Sequence, residues 1–416
     1  MPCDHGSLMA TLTSPADENT YRKLQRRIDE LPVPFPETET GVELRLLKAI
    51  FTEEEAQIAL SLSAAAEPLE VIERRLQNSG RTEMSRRQLG RMLSELAKKG
   101  AINMGVTRVG SRRVPTFGLA PLVVGMFEFQ VDRLTPQYVR DFHQYLDEGF
   151  RSAVVGSRTA QMRTVPVRAE IASARRVAPY NDLRAYLTAH PGPFSVINCV
   201  CRQAAGLLGK ECTTSSTHET CLMIGSVAPH GRKIDHDELF AILDRAEKEG
   251  HVLQPQNSRQ PSFICCCCRD CCEVLQNARK LPRPADAIPS AYSANVDTSL
   301  CTGCQRCVKR CPMGAITMVP RAPVAARLPG DGNQRGVGRL NEVKPEICAQ
   351  VSADRCIGCG LCASTCPESA ITLVSRPQHR RTPLNNTEMY LRMYKDRRGL
   401  LGVIAVAARK LMGRKI

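Results

Sequence analysis

Residues 301–312 read CTGCQRCVKRCP and residues 356–367 read CIGCGLCASTCP, so one cysteine pattern occurs twice. In each copy two residues separate successive members of a cysteine triplet, and three further residues separate the third cysteine from a fourth, which a proline follows. The likeness continues downstream, where Ala315-Ile316-Thr317 corresponds to Ala370-Ile371-Thr372. Two chance motifs would not share their flanks, so the chain contains an internal repeat.

The repeated spacing is typical of ligands to iron–sulfur clusters. Three thiolates spaced in this way wrap one face of an iron–sulfur cube, and the fourth, followed by proline, turns away to the neighbouring cluster. Tetrahedral zinc motifs need neither this exchange nor the proline. The spacing therefore predicts two [4Fe–4S] clusters with exchanged fourth ligands. One set comprises Cys301, Cys304, Cys307 and Cys366, and the other comprises Cys356, Cys359, Cys362 and Cys311.

The stretch over residues 291–376 resembles the bacterial two-cluster ferredoxins. The resemblance implies a domain that carries single electrons, and we expect a ferredoxin-like βαββαβ fold for it. An insertion, Val319–Gln350, separates the half-motifs and departs from the compact form. Its glycine-rich centre lacks the Gly-Lys-Ser/Thr ending of a phosphate-binding loop, so we expect an exposed loop.

The composition limits the class of protein. A chain of 416 residues with 43% hydrophobic residues can form two to four domains with substantial cores. Its first 31 residues are polar and lack a signal-peptide pattern, so the 20 cysteines indicate reduced, metal-binding thiols in the cytoplasm. No run approaches the ~18 apolar residues of a transmembrane helix. The net charge of +15 is concentrated in the last tenth of the chain.

The N-terminal third predicts an arm followed by a small helical domain. Residues 1–40 are expected to be flexible because they end in a proline-rich segment. Residues 41–120 resemble a winged helix in pattern, with three amphipathic helices followed by a hairpin whose tip is basic. Arginines 86, 87 and 91 lie off the apolar face of the third helix, as a DNA-reading helix requires. The weakly positive charge of this region equally suits a protein-docking module.

Residues 121–290 predict a mixed α/β middle domain that is rich in cysteine. The strand-like segments Phe194–Ile197 and Phe263–Ile264 each lead into a group of cysteines. Crowded thiolates without metal repel one another and oxidise readily. We therefore predict a third metal centre, iron–sulfur ahead of zinc, with buried free cysteines as the alternative. The candidate ligands are Cys199, Cys201, Cys212, Cys221, Cys265, Cys267, Cys268, Cys271 and Cys272.

The whole layout resembles a group of poorly characterised bacterial and archaeal 4Fe–4S dicluster-domain proteins. The matching segments, besides the repeat, are Val124–Gln130, Cys199–Arg202, residues 265–272 and Leu281–Ala285. Within the cysteine-dense run, Arg269-Asp270 stands where Gly-Cys would be similar. The resemblance implies redox work and specifies no substrate.

Residues 377–416 predict a basic amphipathic tail. The apolar run Leu400–Ala408 is followed by Arg409 and Lys410, and nine apolar residues cannot span a bilayer. Such an end can lie on an anionic membrane surface, which would make the protein peripheral there. Docking against a partner or against the chain's own domain is the alternative that we favour.

Together these features predict an α+β multidomain, cytoplasmic iron–sulfur protein that passes electrons to a partner reductase or dehydrogenase. No Ser/His/Asp set, nicotinamide fingerprint or phosphate loop is present, so no independent catalytic residue is predicted. Two alternatives belong to other classes. One is a redox-sensing regulator that binds DNA through the winged helix. The other is an oxidoreductase whose active site is the middle-domain centre.

Overall fold

The computed structural model describes residues 15–78, 84–154, 157–167, 182–228, 230–321, 346–377, 380–412 and 415, with side chains from residue 20 onward. It divides into two compact units, one of residues 1–159, 207–209 and 390–416, the other of residues 160–206 and 210–389. The helices are α1 Pro15–Asp29, α2 Val42–Ile50, α3 Glu53–Ala59, α4 Leu69–Asn78, α5 Arg86–Lys98, α6 Pro136–Tyr145, α7 Arg151–Val154, α8 Leu183–Ala189, α9 Val200–Leu207, α10 His236–Glu249, α11 Glu273–Arg279, α12 Pro284–Ala287, α13 Arg306–Arg310 and α14 Asn386–Leu411. The strands are β1 Glu67–Pro68, β2 Ile102–Val109, β3 Arg112–Leu119, β4 Phe194–Asn198, β5 Glu219–Ile224, β6 Arg232–Ile234, β7 Val252–Pro255, β8 Phe263–Cys267, β9 Tyr292–Val296, β10 Ile316–Pro320, β11 Ile347–Val351 and β12 Ile371–Ser375.

Helix α1 contributes to the core of the first unit. Tyr21, Leu24 and Ile28 recur at helical spacing and are buried. The Tyr21 hydroxyl donates a hydrogen bond to the carbonyl of Phe51 at 2.8 Å. The prediction of a flexible arm over residues 1–40 is therefore wrong for residues 20–35, because this apolar stripe packs in the core. Residues 1–14 lie outside the described part of the chain.

The segment 41–120 has helices followed by a hairpin. Ser85 begins α5 with a capping box, its hydroxyl accepting the backbone N–H of Gln88. Strand β3 lies between β1 and β2 in one antiparallel sheet. Arg86 pairs with Glu73 at 2.6 Å, whereas Arg87 and Arg91 are exposed along α5. Residues 79–83, between α4 and α5, lie outside the described part of the chain.

The middle of the second unit is an antiparallel sheet with strand order β6-β4-β5-β8-β7. Helix α10 begins at the Asp235 cap, whose carboxylate accepts the N–H of Glu238, and ends at Gly250 with φ +85°. Leu239, Ile242 and Leu243 lie on its apolar face and are buried in the core of this sheet. The sheet thus fixes where β8 presents its cysteines.

The cysteine repeat forms two two-stranded antiparallel sheets. Strand β9 pairs with β12, and β10 pairs with β11. The repeat relates the two sheets to each other: β9 corresponds to β11 and β10 to β12, and each pair of strands is 55 positions apart in the chain, as Tyr292 and Ile347 are. Four strands and the first helix occur in the expected βαββαβ order, but residues 361–365 form turns where the second helix was expected. Most of the insertion, residues 322–345, lies outside the described residues.

Helix α14 spans the predicted tail and is kinked at Gly399, whose φ is +67°. Before the kink, the Arg397 guanidinium donates to the carbonyls of Asp29 at 2.9 Å and Leu31 at 2.6 Å within the first unit. After it, Leu400, Leu401 and Leu411 are exposed. None of the described helices has both the length and the apolar character that crossing a membrane requires.

Candidate metal centres

One cavity in the second unit is lined by cysteines from both copies of the repeat. Its sulfur-bearing residues are Cys301, Cys304, Cys307 and Cys366. Met318 and Ile371 supply apolar walls. Cys304 is exposed, while Cys307 is buried, so one side of this cavity faces solvent. A cradle of four thiols with apolar walls has the donor set that a [4Fe–4S] cluster requires.

A second cavity holds the complementary set, Cys311, Cys356, Cys359 and Cys362. It is less exposed than the first, since three of these four cysteines are buried. Burial raises the pKa of the Cys359 thiol to about 12, because a buried thiolate loses its hydration. Bound iron would reverse this by stabilising the thiolate.

Backbone N–H groups point at the sulfurs in a repeated pattern. Ala349 donates to Cys301 Sγ at 3.4 Å, and Ala294 donates to Cys356 Sγ at the same distance. Ala294 and Ala349 occupy equivalent positions in the two copies, so each copy supplies a strand to the other's cysteine. Such N–H···S bonds stabilise thiolates and raise the reduction potential of a bound cluster.

Two arginines hold the loops that carry the first cysteine of each copy. Arg376 donates to the carbonyls of Tyr292 and Cys356, and Arg321 donates to those of Thr298 and Cys301. Arg321 and Arg376 are again equivalent in the repeat. The 55-residue period of the repeat is the sequence signal for this pair, which the predicted ligand set does not include.

The cysteines between residues 199 and 272 bring six thiols together in a row. Strand alternation turns Cys265 and Cys267 to one face of β8, where Cys265 stands opposite Cys221 of β5. Hydrogen bonds then link Cys267 to Cys272. The row continues to Cys201, which contacts both Cys272 and Cys199, so its members are Cys221, Cys265, Cys267, Cys272, Cys201 and Cys199.

A second, tighter group lies in the same part of the chain. Cys212, Cys268, Cys271 and Asp270 each offer one ligand atom, and these atoms lie within 4.8 Å of one another. Hydrogen bonding from Cys271 lowers the pKa of the Cys268 thiol to about 6, with help from the Arg202 guanidinium. The predicted ligands did not include Asp270, which stands where a cysteine would match the resembled proteins, yet it completes this group.

Arg202 is a buried cation beside these thiols, with 2% of its surface exposed. Burial opposes its charge, but the neighbouring Cys199 and Cys268 raise the pKa of its guanidinium. One of its nitrogens donates to the carbonyl of Thr217 and to Thr220 Oγ1. Arg202 therefore places a fixed positive charge against the thiol groups, which favours their ionised forms.

The structure accounts for the other cysteines of this part of the chain. Cys266 points away from the thiol row and is buried with Val165 and Ile264 in the core. Cys348, in the ferredoxin segment, is buried within β11. All nine predicted middle-domain cysteines fall into one of the two groups, six in the row and three in the tighter group.

Known proteins are similar to this chain in the region of the cysteine repeat. A model of the "4Fe-4S dicluster domain" matches residues 300–370. A curated relative, "Ferredoxin-3" of Rhodobacter capsulatus, is 33% identical over 87 residues, which are 20% of this chain and 79% of the relative. No solved structure matches the chain significantly.

Proposed function

Because the chain belongs to the 4Fe-4S ferredoxins through its dicluster domain, we propose that it transfers single electrons through two [4Fe–4S] clusters. The observation that carries the proposal is that each of two cavities is lined by three cysteines of one copy and the fourth of the other. Each bound cluster would supply a one-electron couple with little rearrangement. The alanine N–H groups and apolar walls would set its potential.

The residues also suggest a direction for electron entry. Cys304 lies at the solvent-facing side of the first cavity, where a redox partner would come within reach. Both ferredoxin sets share one continuous core with Cys267 and Cys272 of the thiol row, so the direction rests on the exposure of Cys304 and the burial of the second set. We therefore propose that electrons enter near Cys304, pass to the buried set and continue to a middle-domain metal centre.

A stoichiometric reductive titration of the full chain under argon tests this proposal. We expect a reversible uptake of one electron for each ferredoxin cluster, with further electrons taken by the middle domain. Cys301→Ala combined with Cys356→Ala should remove two electrons and leave the rest. A wild-type chain that takes up no electrons reversibly would contradict electron transfer. If a small molecule reoxidises the middle domain catalytically, a reductase is the better description.

DNA binding is a second candidate, favoured by a specific observation. Arg87 and Arg91 are exposed on α5, and Arg112 and Arg113 are exposed at the hairpin tip. A winged helix would present such residues to the major groove and the phosphate backbone. Retarded migration of duplex DNA that is lost in the fourfold alanine variant would support this function. No retardation at low salt would exclude it.

An anionic membrane surface is a partner candidate for the tail. Beyond Gly399 the exposed side chains of Leu400, Leu401 and Ile404 accompany Arg409 and Lys410. This combination of apolar and basic groups suits the interface of an anionic bilayer. Flotation of the full chain with phosphatidylserine vesicles tests it.

A further inference from the structure

The cysteines of the middle domain fall into two groups of different geometry. The ligand atoms of Cys212, Cys268, Cys271 and Asp270 all lie within 4.8 Å of one another. In the described part of the chain, no other set of three or more such ligands is gathered so closely. The thiol row and both ferredoxin sets are more spread out.

The distance between ligand atoms distinguishes a site for a single metal ion from a site for a cluster. With metal–sulfur bonds of about 2.3 Å, tetrahedral geometry places sulfur ligands about 3.8 Å apart around one ion. In a [4Fe–4S] cube each thiolate binds a different iron, so the four sulfurs stand farther from one another. The tight group therefore fits one ion, whereas the ferredoxin cavities fit cubes.

Local structure already orients the carboxylate of the tight group. Asp270 Oδ2 accepts the N–H of Thr213 at 2.7 Å, the Thr213 hydroxyl at 2.8 Å and the N–H of Thr214 at 3.0 Å. Its other oxygen, Oδ1, lies 3.5 Å from Cys212 Sγ. One oxygen thus anchors the loop that carries Cys212, and the other is directed at the sulfurs.

We propose that Cys212, Cys268, Cys271 and Asp270 bind one zinc ion, at a site separate from the thiol row. Zinc accepts both cysteine thiolates and aspartate oxygens as ligands, and these four residues would complete a tetrahedral set around it. These four ligands with Zn²⁺ carry a net charge of −2, and Arg202 beside Cys268 offsets part of it. The ion would fasten the 212–215 loop to the end of β8. This inference deepens the proposed function, since it assigns only the remaining thiols to electron transfer.

Measurement of the zinc and iron content per chain tests whether the two groups of cysteines bind different metals. The full chain, purified under argon, is compared with three alanine variants, Cys212→Ala, Cys265→Ala and Cys266→Ala. We expect one zinc in the wild type, loss of that zinc with unchanged iron in Cys212→Ala, and loss of iron with unchanged zinc in Cys265→Ala. Cys266→Ala is the matched control and should change neither metal, because its thiol lies in the apolar core.

Asp270→Asn tests the carboxylate with a smaller structural change. We expect it to retain the ferredoxin absorbance and to release zinc to a chelator at least tenfold more readily than the wild type. Absence of zinc from the wild type, iron at this site, or joint loss of zinc and iron in Cys212→Ala would each overturn the inference. Unchanged zinc in both Cys212→Ala and Asp270→Asn would do so as well. Absence of iron and sulfide from the ferredoxin half would instead contradict the proposed function, because zinc is counted separately.

Discussion

Replacement of Arg376 by methionine should loosen the loop that carries Cys356. The guanidinium donates to three carbonyls, those of Tyr292 at 2.8 Å, Ala353 at 3.2 Å and Cys356. A hydrogen bond from a charged group contributes about 1.5 kcal/mol, and partial exposure of the side chain lowers this to about 1 kcal/mol. Three such bonds give about 3 kcal/mol, or about a hundredfold in the equilibrium between closed and open loop.

The assay is the loss of visible cluster absorbance in excess iron chelator under argon. We expect Arg376→Met to bleach about a hundredfold faster than the wild type. Arg321→Met removes contacts to two carbonyls and should bleach about thirtyfold faster, from about 2 kcal/mol. Lys233→Met, at an exposed position on β6, is the control and should bleach at the wild-type rate. Equal rates for Arg376→Met and this control would refute the reasoning.

Three further predictions concern pH, packing and the tail. Burial raises the pKa of Glu128 to about 7 from its ordinary 4.5, so its contribution to stability is present below pH 4.5 and is lost as pH rises through 7. In urea titrations Glu128→Gln should therefore be more stable than wild type at pH 8 but not at pH 5. An equal difference in the free energy of unfolding at the two pH values would contradict this prediction. Leu243→Ala, at a position 1% exposed, should lower the free energy of unfolding by about 2–5 kcal/mol, while Val227→Ala, 47% exposed, should change it by less than about 0.5 kcal/mol. Deletion beyond Arg398 should leave iron content unchanged and abolish flotation with anionic vesicles, and continued flotation would exclude the tail as the anchor.

The ferredoxin segment could be predicted from the sequence because its signal is local. Ligands separated by two residues define the cluster type without knowledge of the fold, and the family match at residues 300–370 confirms a 4Fe-4S ferredoxin domain. The repeat also extends beyond its cysteines, since Arg321 and Arg376 stand 55 positions apart like the cysteines. Their role depends on loop carbonyls that only the folded chain brings within reach.

The division of the middle-domain thiols could not be predicted from spacing. The division depends on which side of β8 each cysteine faces. It also depends on a contact between Cys212 and Asp270, two residues that are far apart in the chain. Strand alternation explains why Cys266 is buried in the apolar core while its neighbours face the row. The prediction of a flexible arm was wrong for a different reason, because it rested on prolines 32, 34 and 36 and not on the apolar stripe of α1.

Iron and acid-labile sulfide per chain in two double variants test the central claim, the exchange of fourth ligands, most directly. Cys301→Ala with Cys366→Ala removes two residues that line one cavity, whereas Cys301→Ala with Cys311→Ala removes one from each. The account predicts that the first pair loses one cluster, four irons, and that the second loses both, eight irons. The opposite result, with both clusters lost from the first pair and one from the second, would show that each copy binds its own cluster.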